Sequence, residues 1–386
     1  MLSRFLIWEP RVGEANVGDK TQYWIGFNRV SGIGPTRLRI LLDAFGSLET
    51  AWHATAEDLQ AAGLGPKTVQ ALIETRERLD LDQEVSRVEA LGIHITTWQD
   101  EDYPIRLKEI HSPPPVLYVW GEIKPQDRWA AAVVGTRRAT AYGKTTTREV
   151  SSVLAASGVT VVSGLARGID SIAHQAALEV GGRTLAVLGS GLDQMYPPEH
   201  RKLAESIAGN GAILSDYPLG TRPEPRNFPP RNRIISGLSL AVIVIEAGVG
   251  SGALITADFA GEQGREVFAV PGDIHRRTSQ GTNRLIRSGA RPLVSPEDVL
   301  EALNMDVVAR QEVADKVLPE DDTERRVLEA LGSEPIHVDE LQAQCGLPIS
   351  QITASLAMLE LKGRARQVGG MQYIRAREQR AEYRVE

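Results

Sequence analysis

Between Ala130 and Val270 short apolar runs alternate with helix-length segments, and this alternation limits what the chain can fold into more than any other feature. The runs are Ala130–Val134, Val159–Val162, Thr184–Leu188, Ala212–Leu214, Leu240–Ile245 and Val267–Val270. They do not interleave polar residues, as expected for strands buried on both faces of a parallel sheet. Helical patterns separate them at Tyr142–Ala156, Ile169–Val180, Glu199–Ala208, Arg231–Ser236 and Ala253–Gln263. The expectation is an α/β domain with a Rossmann-like, doubly wound, mostly parallel sheet and right-handed crossovers. Val116–Trp120 reads as one more strand, after an irregular stretch with Pro104 and Pro113-Pro114-Pro115.

The flanks differ in pattern. Two segments, Ser31-Gly32-Ile33-Gly34-Pro35 and Ala62-Gly63-Leu64-Gly65-Pro66, each open a helix and are similar to helix-hairpin-helix turns. Such glycines either let a DNA phosphate approach backbone N–H groups or simply permit a tight helix–helix turn. Near the other end, helices at Thr323–Leu331, His337–Cys345 and Ser350–Leu361 precede a hairpin around Gly369-Gly370, the order of a winged helix. The domain expectation is a leader to residue 19, a helical helix-hairpin-helix/SAM-like domain over 20–95, an extended Rossmann-like domain over 96–303, a linker over 304–322 and a winged-helix-like domain with a basic tail over 323–386.

Open α/β sheets bind ligands beyond the carboxyl ends of their strands. Those positions here hold Gly135-Thr136-Arg137-Arg138 with Lys144 further on, then Ser163-Gly164 through Arg167-Gly168, Gly189-Ser190-Gly191, and Glu246 through Gly252. Glycines let backbone N–H groups face an anion, helix N-termini add partial positive charge, and arginine adds planar phosphate forks. Tight turns explain some of the glycines but not the arginines beside them. Phe228-Pro229-Pro230-Arg231-Asn232-Arg233 begins a helix with further cationic groups, and His275–Arg291 holds five arginines and no acid. Some of these arginines are expected to form structural ion pairs.

Several chemistries are excluded. Neither G-x-G-x-x-G nor G-x-x-x-x-G-K-[ST] is present, so neither NAD nor ATP is indicated and no cofactor is expected. The phosphates therefore belong more naturally to a polymer. Seven histidines lack zinc-site spacing, and the single cysteine, Cys345, excludes a cysteine cluster, so no metal is expected. Asp170 and His174, four apart on one helix, form the only acid–base candidate pair, and no third group joins them. The net charge of −7 excludes a simple basic coat protein but not a local basic surface. Aromatics make up only 5% of residues, which argues against an extended base-stacking platform. No apolar run is long enough to span a membrane, and Arg4 and Glu9 interrupt any signal-like leader, so a cytoplasmic location is expected.

Taken together, Val134-Gly135-Thr136-Arg137, Ser163 through Asp170, Phe228 through Leu238, Ser251 through Ala257 and Val270-Pro271-Gly272 resemble the motifs of the DprA/Smf family. The resemblance implies a homodimeric protein of natural transformation, with no catalytic residues, that binds single-stranded DNA, protects it and helps load the RecA recombinase. It carries DNA binding over to Arg137 and Arg167, and to Lys144, Arg231, Asn232 and Arg233. Gly135, Arg138, Ser163, Gly164, Gly168, Gly189, Gly191 and Phe228 complete the expected DNA-binding set from the strand ends. Two other readings compete. One is a nucleotide phosphoribohydrolase-like enzyme, suggested by Gly248-x-Gly250-Ser251, although Leu254 stands where the catalytic Glu would be. The other is a duplex-DNA regulator acting through the winged helix. The basic tail, Lys362 to Arg384, suits a weak, sequence-independent duplex contact or a protein contact.

Overall fold

The computed structural model describes residues 21–303, 322–332, 335–361 and 364–375. By contacts the chain divides into two units, Met1–Leu303 and Asn304–Glu386. The basic tail beyond Arg375, and Lys362, lie outside the described residues.

The first unit is built on a nine-stranded sheet. Its strands are β1 (Ile93–Thr97), β2 (Val116–Gly121), β3 (Ala130–Val134), β4 (Thr160–Ser163), β5 (Thr184–Val187), β6 (Gly211–Ser215), β7 (Ala241–Val244), β8 (Glu266–Ala269) and β9 (Arg291–Pro292). They lie in the order β1-β2-β6-β5-β4-β3-β7-β8-β9. From β6 to β9 every pairing is parallel, while β2 runs antiparallel to β1 and β6. β3 through β7 are buried along their whole length, which explains their unbroken apolar sequences. After β3 the chain builds outward through β4, β5 and β6, then returns to add β7 on the other side of β3. The order therefore reverses between β3 and β7, the topological switch point at which such sheets open a crevice.

Helices Ala141–Ala156 and Ile169–Glu179 pack together, as do Phe228–Leu238 and Gly252–Glu262. Phe228–Leu238 begins three residues before the expected Arg231, with prolines in its first turn where no intrahelical N–H is needed. The helices over Thr21–Ala90 share one continuous core with the sheet through Trp24, Phe27, Trp98 and Tyr118. Trp24 meets Trp98 edge to face at 6.2 Å. In both hairpin turns the first glycine has positive φ, +87° at Gly32 and +100° at Gly63, and proline follows the glycine that caps the next helix.

The second unit has helices Asp322–Ala330, Val338–Cys345 and Ile349–Leu361 over a small core that includes Cys345. Its sheet has the order β10 (Ile336–His337), β12 (Gln372–Arg375), β11 (Ala365–Gly369). His337, expected in the second helix, instead pairs with Gln372 and caps that helix through its ring.

One buried group makes stability acid-sensitive. His174, on Ile169–Glu179, lies 2.6 Å from the Thr184 hydroxyl, and that hydroxyl donates to the Val161 carbonyl. Thr184 can therefore only accept, so Nδ1 carries the proton and the buried Nε2 has no partner among the described residues. Burial, aided by the neighbouring Arg231 guanidinium, pulls this imidazole down to about 3. The unfolded imidazole protonates near pH 6.5, so the folded form gives full stability above about 6.5 and loses it as pH falls toward 3. At pH 5 the loss is roughly 2 kcal/mol. The melting temperature should fall more between pH 7 and pH 5 in the wild type than in His174→Gln; an equal fall in both would contradict the assignment.

Candidate nucleic-acid interface

A cleft of about 680 Å³ opens at the switch point. One wall is the turn after β3, Gly135 to Arg138; the other is the turn after β7, Gly248 to Gly252, with Arg277 and Gln280 beyond it. Asp170, Arg231, Asn232 and Thr256 line it further in. Close packing dictates the glycines. A Cβ on Gly135 would lie 2.6 Å from Ile169 Cγ1, and one on Gly168, whose φ is +82°, would lie 2.4 Å from the Thr136 carbonyl oxygen. Glu246 ties the far wall to the near one: its buried carboxylate accepts from the Thr140 N–H at 2.9 Å and the Thr140 hydroxyl at 2.6 Å.

Arg231 is the most buried cation of the site, only 4% exposed. Its Nη1 donates to the Gly164 carbonyl at 2.9 Å and to the Val187 carbonyl, while Nε has no partner among the described residues. Burial pulls this guanidinium down to about 10, with Asp170 opposing that pull, so it remains cationic at neutral pH. Asp170 Oδ2 accepts from the Gly164 and Ala166 N–H groups at 3.2 and 3.4 Å. Burial pushes the Asp170 carboxyl up, and Arg231 opposes the push. Asp170 thus organises the turn after β4, and His174 faces Thr184, so the two do not act as an acid–base pair.

The aromatic and cationic groups of the rim interleave. The Arg137 guanidinium lies 5.5 Å from the Phe228 ring centre, and Arg231 lies 5.8 Å from it. Tyr196 stands 5.7 Å from Phe228, and the Arg167 guanidinium lies 6.0 Å from the Tyr196 ring centre. A second, smaller depression joins Arg137, Arg167, Tyr196 and Phe228. Arg137, Arg138 and Arg277 are exposed and have no ion-pair partner among the described residues, whereas Arg167 is paired with Glu199 at 2.5 Å. The N-terminus of Gly252–Glu262, capped by Ser251, opens on the cleft.

Of the residues expected from the sequence, Gly135, Arg137, Arg138, Phe228, Arg231 and Asn232 line the cleft, and Gly164 and Arg167 line the adjoining depression. Gly168 sets the turn geometry. Gly189 packs beneath Phe228, where a Cβ would come within 3.1 Å of the ring. Gly168 and Gly189 thus support the site without lining it, and four more of the expected residues line neither the cleft nor the depression. Ser163 is fully buried and donates to the Val133 carbonyl. Gly191 packs under the Pro218 carbonyl, and Lys144 is exposed on Ala141–Ala156 without lining the cleft. Arg233 turns away: it donates to Ser112 O and pairs with Asp216, both at 2.9 Å. Tyr196, Glu199 and Gln280 were not singled out from the sequence; Arg277 was, within the arginine-rich stretch, but not as a site residue.

A Rossmann-like domain with an arginine-rimmed, glycine-walled cleft at its switch point, preceded in sequence by tandem hairpins and followed by a winged helix, is an architecture suited to handling nucleic acid. Comparison with known proteins narrows it. The family model for DNA recombination-mediator protein A matches residues 94–304. The DprA winged helix domain matches 310–371, and the SAM-like helix-hairpin-helix tandem matches 27–78. Protein Smf of Synechocystis is 39% identical, covering 92% of this chain and 98% of its own. The DNA processing protein DprA of Bacillus subtilis is 42% identical over 55% of this chain and 72% of its own. The X-ray structure of DprA from Streptococcus pneumoniae superposes with a TM-score of 0.65 at 35% identity, covering 72% of this chain and 97% of that one. The Helicobacter pylori DprA, whose structure is described by its single-stranded DNA binding mode, has a TM-score of 0.50 at 32% identity over 55% and 97% of the chains. The chain belongs to the DprA/Smf family of DNA recombination-mediator proteins. Among the described residues no helix is long and apolar enough to cross a membrane.

Proposed function

We propose that the cleft binds single-stranded DNA through its phosphates, and that the protein protects such strands and helps load RecA on them, as a homodimer in the cytoplasm. The observation that carries the reading is the cationic rim without acid partners among the described residues: Arg137, Arg138 and Arg277 border a cleft that the buried, cationic Arg231 also lines. A polymer suits it better than a free nucleotide. The arginine–aromatic row continues past the cleft through Phe228 and Tyr196 to Arg167, so successive nucleotides can each meet a cation and a ring. The DNA bound by the related H. pylori protein supports the choice of single strands. Hydrolysis is not favoured: the cleft's carboxylate, Asp170, is engaged by two backbone N–H groups and Arg231, and Leu254 cannot position water. The winged-helix unit is proposed as an auxiliary surface making weak duplex or protein contacts.

Turns and separate arginines do not fit a groove, whereas a flexible strand can bend each phosphate toward them. Deforming a stiff duplex to do the same costs about 1–6 kcal/mol. Titrating matched single- and double-stranded oligonucleotides across a salt series should show tighter single-strand binding at every salt. Log affinity should fall linearly with log salt, by about 0.7 per phosphate neutralised. Equal affinities, or no salt dependence, would reject the reading.

A further inference from the structure

We infer that Glu199 is a built-in competitor of phosphate at Arg167: the free protein holds this arginine on its own carboxylate, and a bound strand must exchange that carboxylate for a phosphate. The inference rests on the reading of the cleft as a single-stranded-DNA interface.

Arg167 and Arg137 both border the smaller depression beside the cleft, but their states differ. Arg137 lies over the Phe228 ring and has no ion-pair partner among the described residues, whereas Arg167 gives its Nε–H to Glu199 Oε1 at 2.5 Å. Both members of that pair are about half exposed, 52% and 50%, so a phosphate from solvent can reach either. Glu199 is delivered by a fixed loop. His200, its neighbour, bonds the Leu165 carbonyl at 2.9 Å. Earlier in the loop, Ser190 donates to Gln194 O at 2.8 Å and Asp193 holds Arg87 at 2.7 Å. The same loop presents Tyr196 against Arg167. Among the described residues no other side chain holds the Glu199 carboxylate. The hydrogen bond to Arg167 keeps that carboxyl below its ordinary range, so the competing charge persists at all neutral conditions. Glu199 occupies the Nε–H of this guanidinium, so a phosphate that takes that donor must displace the carboxylate, and one at the remaining N–H groups meets its repulsion.

Two consequences follow. Arg167 contributes less to binding than Arg137, although both stand at equivalent strand ends. Removing the charge of Glu199 strengthens binding, the reverse of what losing a positioning residue would do. Exposed ion pairs are weak, so the gain is modest, roughly two- to fivefold at low salt.

The test compares the full-length wild type with Glu199→Gln and Arg137→Ala, using a labelled oligothymidine across a salt series, with melting curves as a fold control. The proposal expects Glu199→Gln to melt like the wild type and to bind two- to fivefold more tightly at low salt, with a steeper salt slope. Unchanged or weaker binding by Glu199→Gln, while Arg137→Ala loses affinity, overturns the competitor role and leaves the cleft assignment standing. If Arg137→Ala binds like the wild type, the cleft assignment itself fails, and a gain in Glu199→Gln no longer counts as competition at that site.

Discussion

Arg137→Ala is expected to weaken binding to a single-stranded oligonucleotide by roughly ten- to a hundredfold while leaving the fold intact. The size follows from a hydrogen bond to a charged group, worth about 1.5–3 kcal/mol. Arg137 is exposed, carries no acid partner among the described residues, and is held over Phe228 at 5.5 Å, so it is preorganised and unspent. The loss should be nearly uniform across base sequences, because a phosphate contact carries no base information. The salt slope should fall by about 0.7, the value for one phosphate of a single strand. Melting curves should match the wild type, since the side chain supports no core. Wild-type affinity in a folded Arg137→Ala would remove this residue from the interface.

The second large effect concerns the turn that holds the cleft together. Gly168→Ala should destabilise the first unit by on the order of 3 kcal/mol, because it forces a side chain into a backbone region that is nearly glycine-only. φ and ψ at Gly168 are +82° and −126°, and the added Cβ would lie 2.4 Å from Thr136 O and 2.7 Å from the Arg137 carbonyl carbon. Those are backbone atoms and cannot swing aside. Relief would push apart the turns after β3 and β4, so binding should weaken along with stability. Gly158→Ala is the control: its φ of +81° also lies in the positive region that L residues rarely adopt, but nothing lies within 4 Å of its Cβ. In thermal melts Gly168→Ala should lose several degrees more than Gly158→Ala, with DNA binding lost only in the former. Equal losses in the two variants would mean that the close approach of the turns does not matter.

The parallel core was legible because β3 to β7 are buried on both faces, and burial on both faces writes an unbroken apolar run. The strand-end glycines and arginines were legible for a related reason: the switch point concentrates ligand contacts at carboxyl ends. β9 and β10 were not legible. Each is two residues long and exists only through a partner strand distant in the chain. β1 was hidden as well, since His94 is exposed and its pairing with Val119 depends on β2. Arg231 and Arg233 show what a motif cannot resolve. They sit two residues apart on one helix, about 200° around its axis at 3.6 residues per turn, so only one can face the cleft. Sequence gives both arginines but not the helix rotation. The structure points Arg231 to Gly164 and Arg233 to Asp216. Glu199 was invisible for another reason: its partner lies 32 residues upstream, and no local pattern joins them.

The central claim, that a single strand runs along the carboxyl ends of the sheet, is tested most directly by a structure of the full-length protein with a short oligothymidine. The account predicts phosphates within hydrogen-bonding distance of Arg137 and of at least one of Arg138, Arg231 and Arg277, with the strand passing Phe228 and Tyr196 toward Arg167. An oligonucleotide seated on the winged-helix unit or on the N-terminal hairpins, with the cleft between the turns after β3 and β7 empty, would contradict it.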